Sequence, residues 1–212
     1  MTKDDRFEIY AESLAGPASP YLADLRKRAE AEGVPIIRQG TEPILQTLLL
    51  TKRPETILEI GCAVGYSALF MHQVLPEAEI ATLELDPDRA DLACRHFQEA
   101  GADGAISLVQ GEAGLYLSQN QRTFDLIFLD AAKGQYLTWL PDIKRAMAPG
   151  GLLLADNILQ EGDILESHFA VERRNRTIHK RMREFLHALT HDAELSTALL
   201  SQGDGLSVTV KK

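Results

Sequence analysis

The stretch Thr56-Ile57-Leu58-Glu59-Ile60-Gly61-Cys62-Ala63-Val64-Gly65-Tyr66-Ser67 decides the fold of this 212-residue chain. A short apolar run reads as a buried strand, Gly61 and Gly65 turn it, and a helix follows over 66–75. Glycine lets the turn tighten and lets a ligand approach the backbone closely. The first amide groups of the helix have no partners within it and point back at the same place. The result is a crevice at the carboxyl end of a strand, where open α/β sheets take small molecules.

The spacing around the turn is Glu-x-Gly-x-x-x-Gly, without the third glycine of a dinucleotide fingerprint. A dehydrogenase is therefore disfavoured. Glu59, just ahead of the turn, suits a ligand with a positive end, such as the amino group of S-adenosylmethionine. Glu84 closes the next apolar run, about 20 residues past the turn, where an acid accepts ribose hydroxyls. The pair predicts a nucleoside-type cofactor site used for methyl transfer.

Outward from the turn, strands and helices alternate. Apolar runs at 56–60, 79–83, 105–109, 124–129 and 152–155 predict parallel strands, with helices near 66–75, 87–100, 112–119 and 134–147. Pro141 predicts a kink or a restart in the last of these. A long helix over 168–190 precedes two runs, 194–200 and 206–210, joined by Ser201-Gln202-Gly203-Asp204-Gly205, which predict an antiparallel hairpin. Ahead of the first strand, Phe7, Tyr10 and Leu14 share a helical face that stops before Gly16-Pro17. A second helix, 21–32, ends at Gly33. Thr41 is placed to cap a third, with Pro43 in its first turn. Residues 1–53 are thus expected to cap the site mouth or meet a second chain, within a single α/β domain over 1–212.

The chain is 45% hydrophobic, enough for one substantial core, and its net charge of −9 argues against coating nucleic acid or anionic membrane with its whole surface. Cys62 and Cys94 read as small buried thiols of a reducing, cytoplasmic protein. No signal peptide and no run of apolar residues long enough to span a membrane is expected.

Two more strand ends carry oxygen ligands. Asp130 follows 124–129 and precedes Ala131-Ala132-Lys133; Asp156-Asn157 follows 152–155. Neighbouring fourth and fifth strands would bring Asp130, Asp156 and Asn157 together. Two carboxylates and an amide oxygen form an incomplete hard-oxygen shell suited to Mg²⁺ or Mn²⁺.

Glu59-Ile60-Gly61, Gly65-Tyr66-Ser67, Glu84, Leu129-Asp130-Ala131-Ala132-Lys133 and Ala155-Asp156-Asn157, in this order and spacing, resemble the metal-dependent O-methyltransferases of the catechol and caffeoyl-CoA type. The resemblance runs from about Ile36 to the C-terminus. It implies a Rossmann-like, seven-stranded methyltransferase sheet ending in an antiparallel pair. It also implies that Ile37, Glu59, Gly61, Gly65, Ser67, Glu84, Glu112, Ala113 and Asp130 contact S-adenosylmethionine, and that Asp130, Asp156 and Asn157 hold the metal. Lys133 falls beside the reacting hydroxyl. The sequence departs from the catechol enzymes at Ala131, where they keep a histidine, and it has no clear substrate acid near the C-terminus unless Asp204 serves.

The substrate is read from another stretch. Between Glu172 and Arg183 lie six basic residues and one acid, a local +5 in an acidic chain. On a helical wheel Ile178, Met182, Phe185 and Leu189 form the apolar stripe, and Arg173, Arg176, Lys180, Arg183 and His187 fall on an arc away from it. Arg174 and Arg181 flank the apolar edge, where a side chain can turn towards the cleft. A basic strip beside a methyltransferase cleft suggests a phosphate-rich substrate, with Arg173, Arg174, Arg176, Lys180 and Arg183 on RNA. This segment, with Gly203-Asp204-Gly205, resembles the bacterial tRNA 5-hydroxyuridine methyltransferases, a branch of the same family; that resemblance implies a tRNA substrate. On 5-hydroxyuracil the 5-hydroxyl and 4-carbonyl are neighbours, as catechol oxygens are, so one ion suits both. Tyr136 and Trp139 are candidates for base stacking. The alternatives are a small-molecule O-methyltransferase acting on catechols or CoA-linked phenols, and a nucleoside-binding module without turnover. The apolar N-terminal helices suggest a homodimer.

Overall fold

The computed structural model describes residues 3–14 and 19–212. Seven strands form one sheet: β1 (Thr56–Ile60), β2 (Glu79–Glu84), β3 (Ile106–Gln110), β4 (Phe124–Leu129), β5 (Met147–Asp156), β6 (Leu195–Leu200) and β7 (Leu206–Lys211). Their order is β3-β2-β1-β4-β5-β7-β6. The first five are parallel, and β7 runs antiparallel to both β5 and β6. This is a Rossmann-like methyltransferase sheet, and the order reverses between β1 and β4, which opens the crevice where such sheets bind ligands.

Among the described residues eight α-helices accompany the strands: α1 (Lys3–Leu14), α2 (Pro20–Ala31), α3 (Glu42–Lys52), α4 (Tyr66–Val74), α5 (Pro87–Glu99), α6 (Ala113–Gln119), α7 (Tyr136–Ala146) and α8 (Arg176–His191). The strands are apolar on both faces because helices cover both. One core packs Leu25, Leu45, Leu49, Tyr66 and Phe97 from α2 to α5 against Ile57, Leu126 and Leu154. The other packs Leu117, Tyr136, Ile143, Phe185 and Leu189 from α6 to α8 against Leu58, Ile60 and Leu153.

The structure departs from the sequence expectations at several points. The helix expected over 168–190 begins only at Arg176. Val171 plugs into the interior, and the preceding chain folds in turns closed by Ala170 N–H to Ser167 O (2.9 Å) and Asn175 N–H to Glu172 O (2.8 Å). Arg173 and Arg174 therefore lie in a turn ahead of α8, Arg173 off its polar arc and Arg174 off its apolar edge. Ile178 is half-exposed, and His179 takes its place in the buried stripe. α7 continues through Pro141 without restarting; the break comes earlier, as a 3₁₀ turn at Lys133–Gln135. Buried Trp139, Leu140 and Ile143 on both sides of the proline hold α7 against the sheet. Thr41 stands at the start of α3, but its side chain makes no cap and is buried. Cys94 is exposed on α5, whereas Cys62 is buried. Tyr10 and Leu14 are exposed; the side chain of Phe7 and the stop at Gly16-Pro17 lie outside the described residues.

Candidate active site

The glycine turn is shaped by its neighbours. Gly61 has φ +103°, and a Cβ there would stand 2.0 Å from the carbonyl oxygen of Asp130. That closeness follows from the ladder, since Asp130 N–H donates to Ile60 O at 3.0 Å. Gly65, φ +85°, begins α4 against the ring of Phe97, so it shapes the turn from beneath and does not line the cleft. Ala63 between them is also left-handed, φ +48°, held by its N–H donating to Glu84 Oε2 at 2.7 Å. Glu84 Oε1 accepts from Asp86 N–H at 2.9 Å. With both oxygens aimed by backbone amides, its remaining lone pairs are pre-organised towards the cavity.

Glu59 sits differently from its expectation. It is fully buried on the α4 side of β1, beneath the cleft wall. Thr82 Oγ1 donates to its Oε2, while Oε1 has no partner among the described residues. Burial pushes the carboxyl up to about 7, the Ser67 and Thr82 hydroxyls pull it down, and the charges of Asp130 and Glu84 add to the rise. Thr82, the residue that orients Glu59, was not singled out from sequence. Its signal is a polar residue facing inward in an otherwise apolar run.

The cleft is a cavity of about 700 Å³ over the ends of β1, β2 and β4. Ile37, Gly61, Ser67, Glu84, Glu112, Ala113, Asp130, Lys133 and Asn157 line it. Glu112 caps α6 by accepting from Gly114 and Leu115 N–H (2.9 and 2.6 Å). Arg38, Arg89 and Gln135 also line the cavity and were missed, because nothing local distinguishes them from other surface residues. α2 and α3 frame the mouth through a buried network: Arg26 donates to Glu42 (2.7 Å) and to Ile37 O (2.8 Å), and Tyr66 OH to Glu42 (2.5 Å).

β4 and β5 pair as expected and bring Asp130, Asp156 and Asn157 to one rim. Asp156 is fully buried. Its Oδ1 accepts from Asn157 N–H (2.9 Å), and its Oδ2 has no partner among the described residues. Burial, then the charge of Asp130, pushes its carboxyl up to about 6. Asn157 is left-handed, φ +56°, a conformation asparagine tolerates. Among the described residues no three His, Cys, Asp or Glu side chains form a metal cluster, so any cation here relies on two acids and an amide oxygen. An unpartnered buried carboxylate oxygen beside two more oxygen donors fits a hard divalent ion.

Lys133 Nζ lies among these groups, 2.7 Å from Asp130 Oδ1, 3.1 Å from Tyr136 OH and 3.5 Å from Asn157 Oδ1. Burial pulls its pKa down, but Tyr136 and Asp130 outweigh that and leave it raised. Tyr136 is fully buried and is not open for stacking; Trp139 faces the cofactor cleft. Asp204 is also structural: it is buried, and its Oδ1 accepts from Glu161 N–H at 2.7 Å.

The basic residues beyond the trio have mixed roles. Arg181 turns to the cleft rim, donating to Gly134 O at 2.9 Å. Arg176 donates to Val171 O and Phe169 O, and Arg183 to Ile164 O. Arg174 pairs with Glu172 and Lys180 with Glu184, both in the open. Arg183 borders an apolar pocket of about 550 Å³ that also includes Ile158, Leu159, Leu165 and Leu199.

Comparison with known proteins places this geometry in a family. Residues 12–212 match the model of the O-methyltransferase family. A catechol O-methyltransferase of Niastella koreensis is 34% identical over 156 residues, covering 69% of each chain. A caffeoyl-CoA O-methyltransferase of Stellaria longipes is 26% identical, covering 89% of this chain and 82% of that one. Among solved structures, an SAH-bound methyltransferase of Podospora anserina superposes with a TM-score of 0.88 at 24% identity, covering 100% of this chain and 97% of the other, which speaks to the fold. An O-methyltransferase of Bacillus cereus in complex with SAH gives 0.84 at 23% identity over 98% and 97%. The glycine turn, the acid that follows it and the strand order thus have one source: this chain belongs to the O-methyltransferase family and is an S-adenosylmethionine-dependent O-methyltransferase.

Proposed function

We infer that this enzyme methylates the 5-hydroxyl of 5-hydroxyuridine in the anticodon loop of tRNA, giving 5-methoxyuridine, with Mg²⁺ or Mn²⁺ at Asp130, Asp156 and Asn157. The observation that carries the reading is the contact of Arg181 with the Gly134 carbonyl. It sets the basic end of α8 against the turn that bears Lys133. Arg173 has no polar partner among the described residues, and the exposed pairs of Arg174 and Lys180 are weak enough to exchange for phosphates. A guanidinium has five donors, so Arg176 and Arg183 keep some free after binding carbonyls.

The chain's own groups divide the work. Glu84 offers lone pairs to the cofactor ribose, and the glycine turn admits its backbone-hugging end. Asp130 and Asn157 present oxygens at the cavity wall, and Asp156 lies beneath them. The divalent ion, when bound, supplies the positive charge that lowers the pKa of the reacting hydroxyl. Lys133 holds its proton while it sits on Asp130 and takes none there; as an ammonium beside the reacting hydroxyl it steadies negative charge on that oxygen, whose proton leaves to water. Bases in loops can be splayed into such clefts while cations hold their phosphates.

A second reading has one observation in its favour. The apolar pocket beginning at Ile158 and Leu159, directly after Asn157, suits the ring or tail of a small phenol. Labelled S-adenosylmethionine, with and without EDTA, is to be offered to tRNA carrying 5-hydroxyuridine and, in parallel, to a catechol. Labelled 5-methoxyuridine that EDTA abolishes supports the first reading. Catechol labelling with silent tRNA overturns it. The exposed Ile9, Tyr10 and Leu14 of α1 support a homodimer, which sedimentation tests.

A further inference from the structure

A lysine ammonium has three protons and no lone pair, and every proton of Lys133 is spoken for. Two of its three partners, Asp130 Oδ1 and Asn157 Oδ1, are the cavity-facing members of the oxygen trio. The third, Tyr136 OH, is fixed in place by Ala131 N–H (3.0 Å) and by the carbonyls of Leu129 and Ala131 (both 3.3 Å). The ammonium carries one positive charge against two carboxylates, and Asp156 Oδ2 stays unpartnered below it. Lysine therefore neutralises the site incompletely, and from one side.

A divalent ion needs the same lone pairs at closer range, roughly 2.0–2.1 Å for Mg²⁺, and repels an ammonium nearby. We propose that Lys133 is a tethered stand-in for the ion: its ammonium holds the Asp130 and Asn157 oxygens until a divalent cation enters, and entry expels it from them. The proposal rests on the metal site of the reading above. Tyr136 gives the displaced ammonium a second mooring, so it swings within the cavity and remains beside the substrate. Two properties follow. Metal affinity is held below what the oxygen trio alone would give, and the lysine becomes available to the reacting hydroxyl only in the loaded enzyme.

The test is a Mn²⁺ titration followed by electron paramagnetic resonance, on the wild-type chain, Lys133→Met and Lys133→Gln. The glutamine variant serves where methionine prevents folding, and Asp156→Ala marks binding elsewhere on the surface. Both lysine variants are expected to bind Mn²⁺ at least about tenfold more tightly than wild type. Loss of repulsion alone would also tighten binding, so a wild-type crystal structure with Mn²⁺ completes the test. Lys133 Nζ is expected beyond hydrogen-bond reach of Asp130 Oδ1, past about 3.5 Å. Unchanged or weaker binding by the variants overturns the proposal, as does an ammonium still on Asp130 with the ion present; either leaves the metal site standing. Mn²⁺ binding no better than that of Asp156→Ala in all proteins overturns the metal site, and this inference with it.

Discussion

Around the glycine turn, polar groups are pinned by the neighbouring parallel strands and their ends, whereas the rim beyond β5 is held by the β6–β7 hairpin and by side chains reaching across the fold. Gly61 and Cys62 N–H both donate to Leu83 O, Ala63 and Asp86 N–H to Glu84, and Asp130 N–H to Ile60 O. On the other side, the loop that begins at Asn157 contains three left-handed non-glycine residues, Asn157, Gln160 and Glu161. It is tied to the hairpin by Ile158 N–H donating to Gly205 O (3.1 Å), Leu159 N–H to Asp204 O (2.8 Å) and Glu161 N–H to the Asp204 carboxylate, and to α8 by Arg183. Strained backbone persists only where its surroundings over-determine it. The cofactor side is thus held by the parallel strands β1, β2 and β4, and the rim beyond β5 by the hairpin and α8, elements distant from it in the chain. A family can keep the first and vary the second.

That contrast can be broken or sharpened at four places. Asp156→Ala is expected to lower methyl transfer by roughly 10²–10³-fold, the size seen when a charge-stabilising group is lost, while S-adenosylmethionine binding, followed by calorimetry, stays within a few-fold. Equal loss of both would mean that the two sides are one unit. Gly61→Ala strikes the rigid side: its Cβ would meet the Asp130 carbonyl at 2.0 Å, and about 3 kcal/mol of stability should go with it. Urea unfolding measures this, and a loss below about 1 kcal/mol would mean the turn is softer than its hydrogen bonds imply.

Glu59→Gln tests the buried acid in the cofactor-free protein. Its folded-state pKa of about 7 lies above the ordinary 4.5, so the folded state holds the proton more tightly and stability falls as pH rises from about 4.5 to about 7. Glutamine removes that slope and should gain roughly 2 kcal/mol at pH 8 with little change at pH 4. Thermal unfolding across this range would show identical profiles if Glu59 were ionised throughout. The smallest effect is expected at the basic rim. If tRNA is the substrate, as proposed, Arg181→Ala should raise its KM about tenfold at low salt and flatten the salt dependence, leaving cofactor binding intact. Salt-independent kinetics in the wild type would detach the basic rim from the substrate.

What could be read from the sequence follows the same division. Glu84 and the Asp130 and Asp156-Asn157 strand ends were legible because strand, turn and acid lie within one βα unit, at spacings the local geometry dictates. The β7–β6 hairpin was legible for the same reason, from five turn-forming residues between two apolar runs.

The misreadings arose where distant contacts override local periodicity. Residues 168–175 have helical character, yet burying Val171 and satisfying the Phe169 and Val171 carbonyls with Arg176 bends them into turns. Glu59 was seen as an acid at the turn, but only packing against α4 put it beneath the cleft wall with one oxygen unpartnered. Asp204 looked free to meet substrate until the hairpin placed it against Glu161 N–H. The sequence by itself determined the sheet, the cofactor crevice and the strand ends bearing Asp130, Asp156 and Asn157, since alternation and spacing are local properties. Tertiary structure alone decided that Lys133 sits on two of those oxygens and that Arg181 turns to the cleft. Both depend on where long, flexible cationic side chains find their partners, and that is set by the packing of elements far apart in the chain.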